Sequence, residues 1–205
     1  NDDKSSLCSD DKPTGSTHTI DELLIKSDGF SRYQRRQAAL NCSCFAILSS
    51  TMLLPNLLYP RLRESWPTLT DVDCAMVTSV FFAGNVVGLA VWGVFGDMYG
   101  RRPASLYSLA LLLLAALASF GCSGVTSLAC SRALVGFAVG GLLNSSFLLQ
   151  MELSTPMDRM RSKILLASCG WVGGALWLVT VAYFVRQFPW QSLAIYLAPA
   201  VPLLL

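Results

Sequence analysis

Five long stretches of this chain carry no aspartate, glutamate, lysine or arginine, save one arginine, and that pattern limits the folds open to it. Residues 37–60, 74–96, 104–122 and 164–185 are free of formal charge, and 128–151 holds only Arg132. A helix of about 20 apolar residues crosses a bilayer, so these five runs read as membrane spans. Residues 190–205 form a sixth apolar run of 16 residues, read as a sixth span cut short. Buried helices of a soluble domain would need five such runs packed in one small core. The composition agrees: 53% hydrophobic, 14% charged, mean hydropathy +0.51, where soluble domains carry about a quarter charged residues. The expected fold is an all-α polytopic membrane protein, with the lipid bilayer as its first partner.

The other features of composition mainly exclude. A net charge of +2 gives no case for nucleic acid. Seven cysteines (8, 42, 44, 74, 122, 130 and 169) lack Cys-x-x-Cys spacing, so no metal site is expected. Most read as small packing residues, while Cys122 and Cys130 bracket an expected loop and could pair. The single histidine, His18, lies in the polar N-terminal stretch, and no nucleophile–base or metal-ligand cluster accompanies it. Neither an enzyme nor a cofactor is expected.

Residues 1–18 are polar and acidic and read as a disordered cytoplasmic tail. Residues 19–36 read as a short helix opened by the capping-box pattern Thr19-Ile-Asp-Glu22, followed by a basic flank. Residues 37–205 form the expected transmembrane bundle. No signal-peptide core precedes the first span, which would itself direct insertion. The chain begins at Asn1 rather than Met and ends inside an apolar run, and so reads as a piece of a longer protein.

Loop charges orient the array. Lys26, Arg32, Arg35, Arg36, Arg101, Arg102, Arg159, Arg161 and Lys163 fall on one side, against Arg61, Arg63 and Arg186 on the other. The positive-inside rule then puts the N-terminus in the cytoplasm of a plasma or vesicle membrane. Two sequons, Asn41-Cys-Ser43 and Asn144-Ser-Ser146, fall inside spans and should stay unmodified.

Between the second and third spans lies Gly93-Val-Phe-Gly-Asp97-Met-Tyr-Gly100-Arg101-Arg102-Pro103. Asp97 ends a helix, where the dipole disfavours an anion, so it needs a cation or another helix's N-terminus. Gly100 permits a sharp turn, and Pro103 suits the first position of the next helix. Read alone, the charges could simply fix topology. In the fourth span Arg132, Gly136 and Gly140 recur every four residues on one helix stripe, a groove that lets a second backbone approach. Arg132 lies about four residues, roughly 6 Å, inside the boundary, and could either snorkel outward or face protein. Gly84 and Gly88 repeat the pattern in the second span. Ser49, Ser50, Asn85, Asn144, Ser146 and Gln150 are polar candidates for a cavity lining, with interhelix hydrogen bonds as the alternative use. Gly170, Gly173 and Gly174 stand beside Trp171 and Trp177, aromatics that could line a cavity, face lipid or pack in the core.

Gly93, Asp97, Gly100, Arg101 and Arg102 resemble the loop signature between helices two and three of major facilitator superfamily transporters, with Met98 departing where a base is usual. Arg132, Gly136 and Gly140 are similar to that superfamily's fourth-helix pattern. Glu152-Leu-Ser-Thr-Pro156-Met-Asp-Arg159-Met-Arg161 resembles its acid-then-arginine loop between helices four and five, where Glu152 could pair with Arg159, Arg161 or the Arg101–Arg102 corner. Thr19-Ile-Asp-Glu22, Gly29-Phe30, Val77-Thr-Ser-Val-Phe-Phe-Ala-Gly84, Lys163-Ile-Leu-Leu166 and Ala200-Val-Pro-Leu-Leu-Leu205 look like the synaptic-vesicle-protein-related branch, which adjoins the organic-ion transporters. Two departures stand: the first span lacks the acids common in that branch, and the 60–73 loop is too short for an organic-ion carrier's ectodomain.

The resemblance implies the N-terminal six-helix bundle of a twelve-helix fold. Its C-terminal half, a further partner, would supply the other wall of a small-molecule site. It further implies alternating-access transport of a small solute, with an organic ion among the candidates. Asp97, the two arginines, Glu152, Arg159 and Arg161 would form a conformational latch, and Arg132 with its glycines a structural clasp. The scarcity of charge within the spans supports an alternative, a transporter-fold protein that no longer transports and serves as receptor, scaffold or trafficking factor.

Overall fold

The computed structural model describes residues 32–122, 124–154 and 159–184. Its elements in chain order are α1 (Arg32–Ser65), α2 (Asp71–Tyr99), α3 (Arg101–Ala118), a 3-10 turn (Ser119–Gly121) and α4 (Val125–Leu153). The fifth span is continuous but built in three pieces: α5 (Arg159–Leu165), a π-helical stretch (Leu166–Val172) and α6 (Gly173–Phe184). The expected tail, the start of the short helix and basic flank (19–31), and the sixth run at 190–205 lie outside the described residues. Among the described residues, five stretches are long and apolar enough to cross a membrane: Arg35–Ser65, Asp71–Tyr99, Arg101–Ala118, Val125–Glu152 and Met160–Phe184. The all-α polytopic reading holds.

Local chemistry sets the helix ends. Thr70 opens α2 with a reciprocal cap. Its hydroxyl accepts from the Asp73 N–H at 3.2 Å, and its own N–H donates to Asp73 Oδ2 at 3.0 Å. Asp71 and Asp73 also place negative charge at the positive end of the helix. Arg63, in the last turn of α1, pairs with Asp71 across the short connection. α1 itself continues through Pro55 and Pro60.

α4 packs against α2, α3 and α1, and α1 carries the fifth span on its other side. On α2 the buried residues Cys74, Val77, Phe81, Asn85, Gly88, Trp92 and Gly96 recur every three or four positions. The opposite face of α2, with Val86, Val87, Val91 and Val94, is exposed. A helix greasy on its outer face suits lipid better than water. The core centres on Leu48, Phe81, Leu112, Val139 and Leu142. Leu58, Leu62, Val77, Cys122 and Leu128 form a second cluster toward the far end.

The fifth span meets α1 through glycines. A Cβ on Gly174 would fall 2.2 Å from the Ala46 carbonyl oxygen, and one on Gly170 2.7 Å from Phe45 Cβ. Ser50 Oγ lies 2.8 Å from the Gly174 carbonyl, and the Cys42 thiol is directed at the Leu165 carbonyl at 4.0 Å. Trp171 and Trp177 point outward, among the exposed residues. Cys122 and Cys130 do not pair. The Cys122 thiol, buried, reaches Ser131 Oγ at 3.6 Å, while Cys130, one position back on α4, is exposed.

Candidate functional site

The α2–α3 corner is tighter than the sequence suggests. Only Gly100 separates the helices, at φ 95°, a left-handed conformation that favours glycine, and its N–H returns to the Gly96 carbonyl at 3.0 Å. Arg101 and Arg102 are therefore the first residues of α3 rather than loop residues. Pro103 takes the third helical position, where a missing N–H is still harmless. This puts an anion at the C-terminal end of α2 and a cation at the N-terminal end of α3, each disfavoured by its own helix dipole. They compensate each other: Arg101 Nη2 lies 2.5 Å from Asp97 Oδ1.

Arg101 also reaches Glu152 near the end of α4, Nε to Oε1 at 3.4 Å. One guanidinium thus ties the ends of α2, α3 and α4 together, its side chain 18% exposed beside carboxylates that are 65% and 55% exposed. Of the partners open to Glu152, Arg101 is the one observed. The Arg159 side chain lies outside the described residues, and Arg161 is exposed on α5. Arg102 points elsewhere and is in no ion pair among the described residues. The side chain of Arg101 folds back over Gly96, where a Cβ would sit 3.0 Å from Nη1. Gly96 was not singled out in the sequence, although a glycine one turn before the corner arginine is the available signal.

The glycines of α2 and α4 interlock. A Cβ on Gly136 would fall 2.0 Å from the Phe81 carbonyl oxygen and one on Gly140 2.5 Å from that of Asn85. On the facing helix, Gly84 and Gly88 stand the same way against the carbonyls of Ala133 and Phe137, at 2.3 and 2.2 Å. Gly93 belongs to this seam too, since its Cβ would lie 3.3 Å from Asn144 Nδ2.

Arg132 is 4% exposed, so it faces protein and does not snorkel. Its electrostatic neighbours are the Tyr59 phenol and the Cys122 thiol, and among the described residues no carboxylate forms an ion pair with it. The Tyr59 hydroxyl is held 2.6 Å from Thr78 Oγ1, linking α1 to α2 beside it.

Of the six cavity candidates all but Asn144 are buried, and Ser49 Oγ and Asn85 Nδ2 have no hydrogen-bond partner among the described residues. Asn144 packs half-buried against Gly93. Gln150 is occupied: its Oε1 accepts from Asn41 Nδ2 at 2.8 Å, and its Nε2 reaches Ser154 Oγ at 3.3 Å, which in turn meets Ser162 Oγ at 3.0 Å. This chain joins α1, α4 and α5. Asn41, Ser154 and Ser162 were not predicted as parts of it; a lone amide at Asn41 in an apolar run was the available signal.

The family model for sugar (and other) transporters matches residues 19–204. The chain belongs to that family. Within it, the synaptic vesicle 2-related protein of Bos taurus is 30% identical over 194 residues, covering 94% of this chain and 34% of the relative. The Xenopus laevis protein of the same name is 29% identical over the same shares. Solute carrier family 22 member 7 of Homo sapiens is 32% identical over 125 residues, 61% of this chain and 22% of the relative. The chain spans about a third of the length of the synaptic vesicle 2-related proteins it matches. It is a major facilitator superfamily protein of the branch shared by synaptic-vesicle-2-related and organic-ion transporters, integral to the membrane and multi-pass.

Proposed function

We propose that this chain is the N-terminal bundle of a secondary transporter that moves a small solute by alternating access, with its N-terminus and the Arg101 corner in the cytoplasm. The observation that carries the reading is the single guanidinium of Arg101 held between Asp97 and Glu152. The carboxylate of each pair is largely exposed, so neither pair adds much to stability. Such a junction suits a latch that is made in one conformation and released in another, because its loss costs the fold little and shifts a balance between states. A second bundle would face this one across the solute path. An organic ion is a solute of the right class for the branch, supported by the resemblance to solute carrier family 22 member 7. Ser49, Asn85, Asn144 and Gln150 are the lining residues proposed from the sequence. Arg159 and Arg161 are proposed as further members of the latch.

Uptake by the intact protein carrying Asp97→Asn, compared at equal surface abundance, tests the latch. The variant should reach the membrane and lose most of its uptake rate; wild-type uptake would overturn the role. Wild-type protein that moves no solute in vesicles, while still reaching its membrane, would favour the receptor or scaffold reading. The cross-linking of Gln150 by Asn41 and Ser154 supports that second reading, since it commits polar groups to holding helices.

A further inference from the structure

A cavity of about 250 Å³ opens at the basic end of the bundle, between α1, α3 and α4. Its polar wall is Gln37 and Asn41 from α1, Arg102 and Ser105 from α3, and Ser146 from α4; among the described residues no carboxylate lines it. Arg102 is not occupied elsewhere. The carboxylates at the corner, Asp97 and Glu152, are both engaged by Arg101, and Arg102 is in no ion pair among the described residues. Arg35 and Arg36, on the turn of α1 just before Gln37, are exposed and in no ion pair among them either.

Ser146 lies at the inner wall of this cavity. It is 1% exposed, its polar neighbour is the Cys44 thiol, a weak partner that also lines the cavity, and its hydroxyl reaches no stronger acceptor or donor among the described residues. Serines and threonines in these helices usually satisfy themselves on the carbonyl four residues back, as Ser43, Ser50, Thr51 and Ser119 do. Ser146 does not, and a buried hydroxyl with only a thiol beside it gains from a stronger partner. Asn41 donates one amide hydrogen to Gln150, which fixes its orientation and leaves the other hydrogen unspent. Ser105 spends its proton on the Arg101 carbonyl. The donors left for an occupant are thus the Arg102 guanidinium, the Gln37 amide, the second Asn41 hydrogen and the Ser146 hydroxyl. A guanidinium charge with several neutral donors around it, and no described carboxylate to oppose it, favours an anion with several oxygens.

We propose that this cavity binds a phosphate group, with Arg102 making the charge-assisted contact and Ser146 the deepest hydrogen bond. The group could be the headgroup of a phosphatidic-acid-type lipid or free phosphate. Leu40, Leu106 and Leu149 on the apolar wall would suit the first methylenes of a lipid.

The test measures binding and melting temperature of the intact protein in neutral-detergent micelles. One arm adds phosphatidic acid against phosphatidylcholine at equal mole fraction; the other adds sodium phosphate against chloride at matched ionic strength. Retention and stabilisation by phosphatidic acid alone identify the lipid headgroup, and stabilisation by sodium phosphate identifies the free anion. In either case Arg102→Gln and Ser146→Val should each weaken binding about tenfold or more, and Lys163→Gln, which removes one charge from the same end outside the cavity, should not. If Arg102→Gln yields no folded protein, Ser146→Val carries the test. Stabilisation by neither probe, unchanged affinity in Ser146→Val, or an equal loss in Lys163→Gln would overturn the site.

Discussion

The α2–α4 seam is held by shape and the α1–α4 seam by hydrogen bonds, while the seam between α1 and the fifth span uses both. Across the first, four glycines let two backbones approach until any Cβ would collide with a carbonyl oxygen, and among the described residues no side-chain hydrogen bond crosses it. Along α1, Asn41 reaches Gln150, Ser50 reaches the Gly174 carbonyl and Arg61 the Ala182 carbonyl at 3.1 Å. The π-helical stretch lies on this side too, and such stretches often mark functional sites. A glycine seam cannot rearrange without parting, because backbone cannot move aside as a rotamer can. Hydrogen bonds between side chains can be exchanged for others at small cost. The α2–α4 pair is therefore the rigid unit, and the α1–α4 seam is where a conformational change would be cheapest.

The largest effect expected from breaking this contrast is at Gly136. Gly136→Ala places a methyl 2.0 Å from the Phe81 carbonyl, and overpacking of this kind costs about 1–3 kcal/mol or more. The variant should lose most of its folded, monodisperse population in detergent, read by size-exclusion chromatography after heating. Gly173→Ala, where a Cβ meets nothing within 4 Å, should melt like wild type. Equal melting of the two would remove the rigid seam from the account.

A smaller effect is expected on the other side. Gln150→Leu removes the acceptor of Asn41 and the contact to Ser154. Interhelix hydrogen bonds in membranes average about 0.6 kcal/mol, with a maximum near 1.7, so melting should fall by less than in Gly136→Ala. Thiol labelling of Cys42, one residue from Asn41, should quicken as α1 loosens. A melting loss as large as that of Gly136→Ala would mean both seams are equally fixed.

What the sequence makes legible follows the range of each interaction. Length and apolarity alone mark the membrane helices, because the bilayer acts on composition. Gly136 and Gly140 are legible as a close-approach stripe, since spacing by four fixes the face. Their contacts, the carbonyls of Phe81 and Asn85, are not, because which helix fills a groove is decided by the whole bundle. Arg101 and Arg102 cannot be separated by type, yet a helix turns about 100° between them. One closes the corner and the other faces a cavity, a division set by room above Gly96. Gln150 is legible as a polar group with two uses, cavity lining or a bond between helices, but not by partner, since Asn41 is 109 residues away. The fate of Arg132, balanced between water and protein, depended on Tyr59 and the cluster around Leu58 arriving from α1.

The smallest effect sharpens the comparison at the Arg101 junction. Asp97 and Arg101 are four residues apart, so their pair is local and forms whenever the corner does. Glu152 comes from α4, 51 residues along the chain, and its contact is the one that reports how α4 sits against the corner. Both carboxylates are exposed, and exposed pairs contribute about 0.2–1 kcal/mol, screened by salt. Glu152→Gln should therefore shift melting only slightly, and the difference from wild type should vanish in molar salt. Should Glu152→Gln instead cost as much as Gln150→Leu, and keep that cost in salt, the corner would be a structural tie of α4. The latch would then have to be sought at a junction that yields more easily.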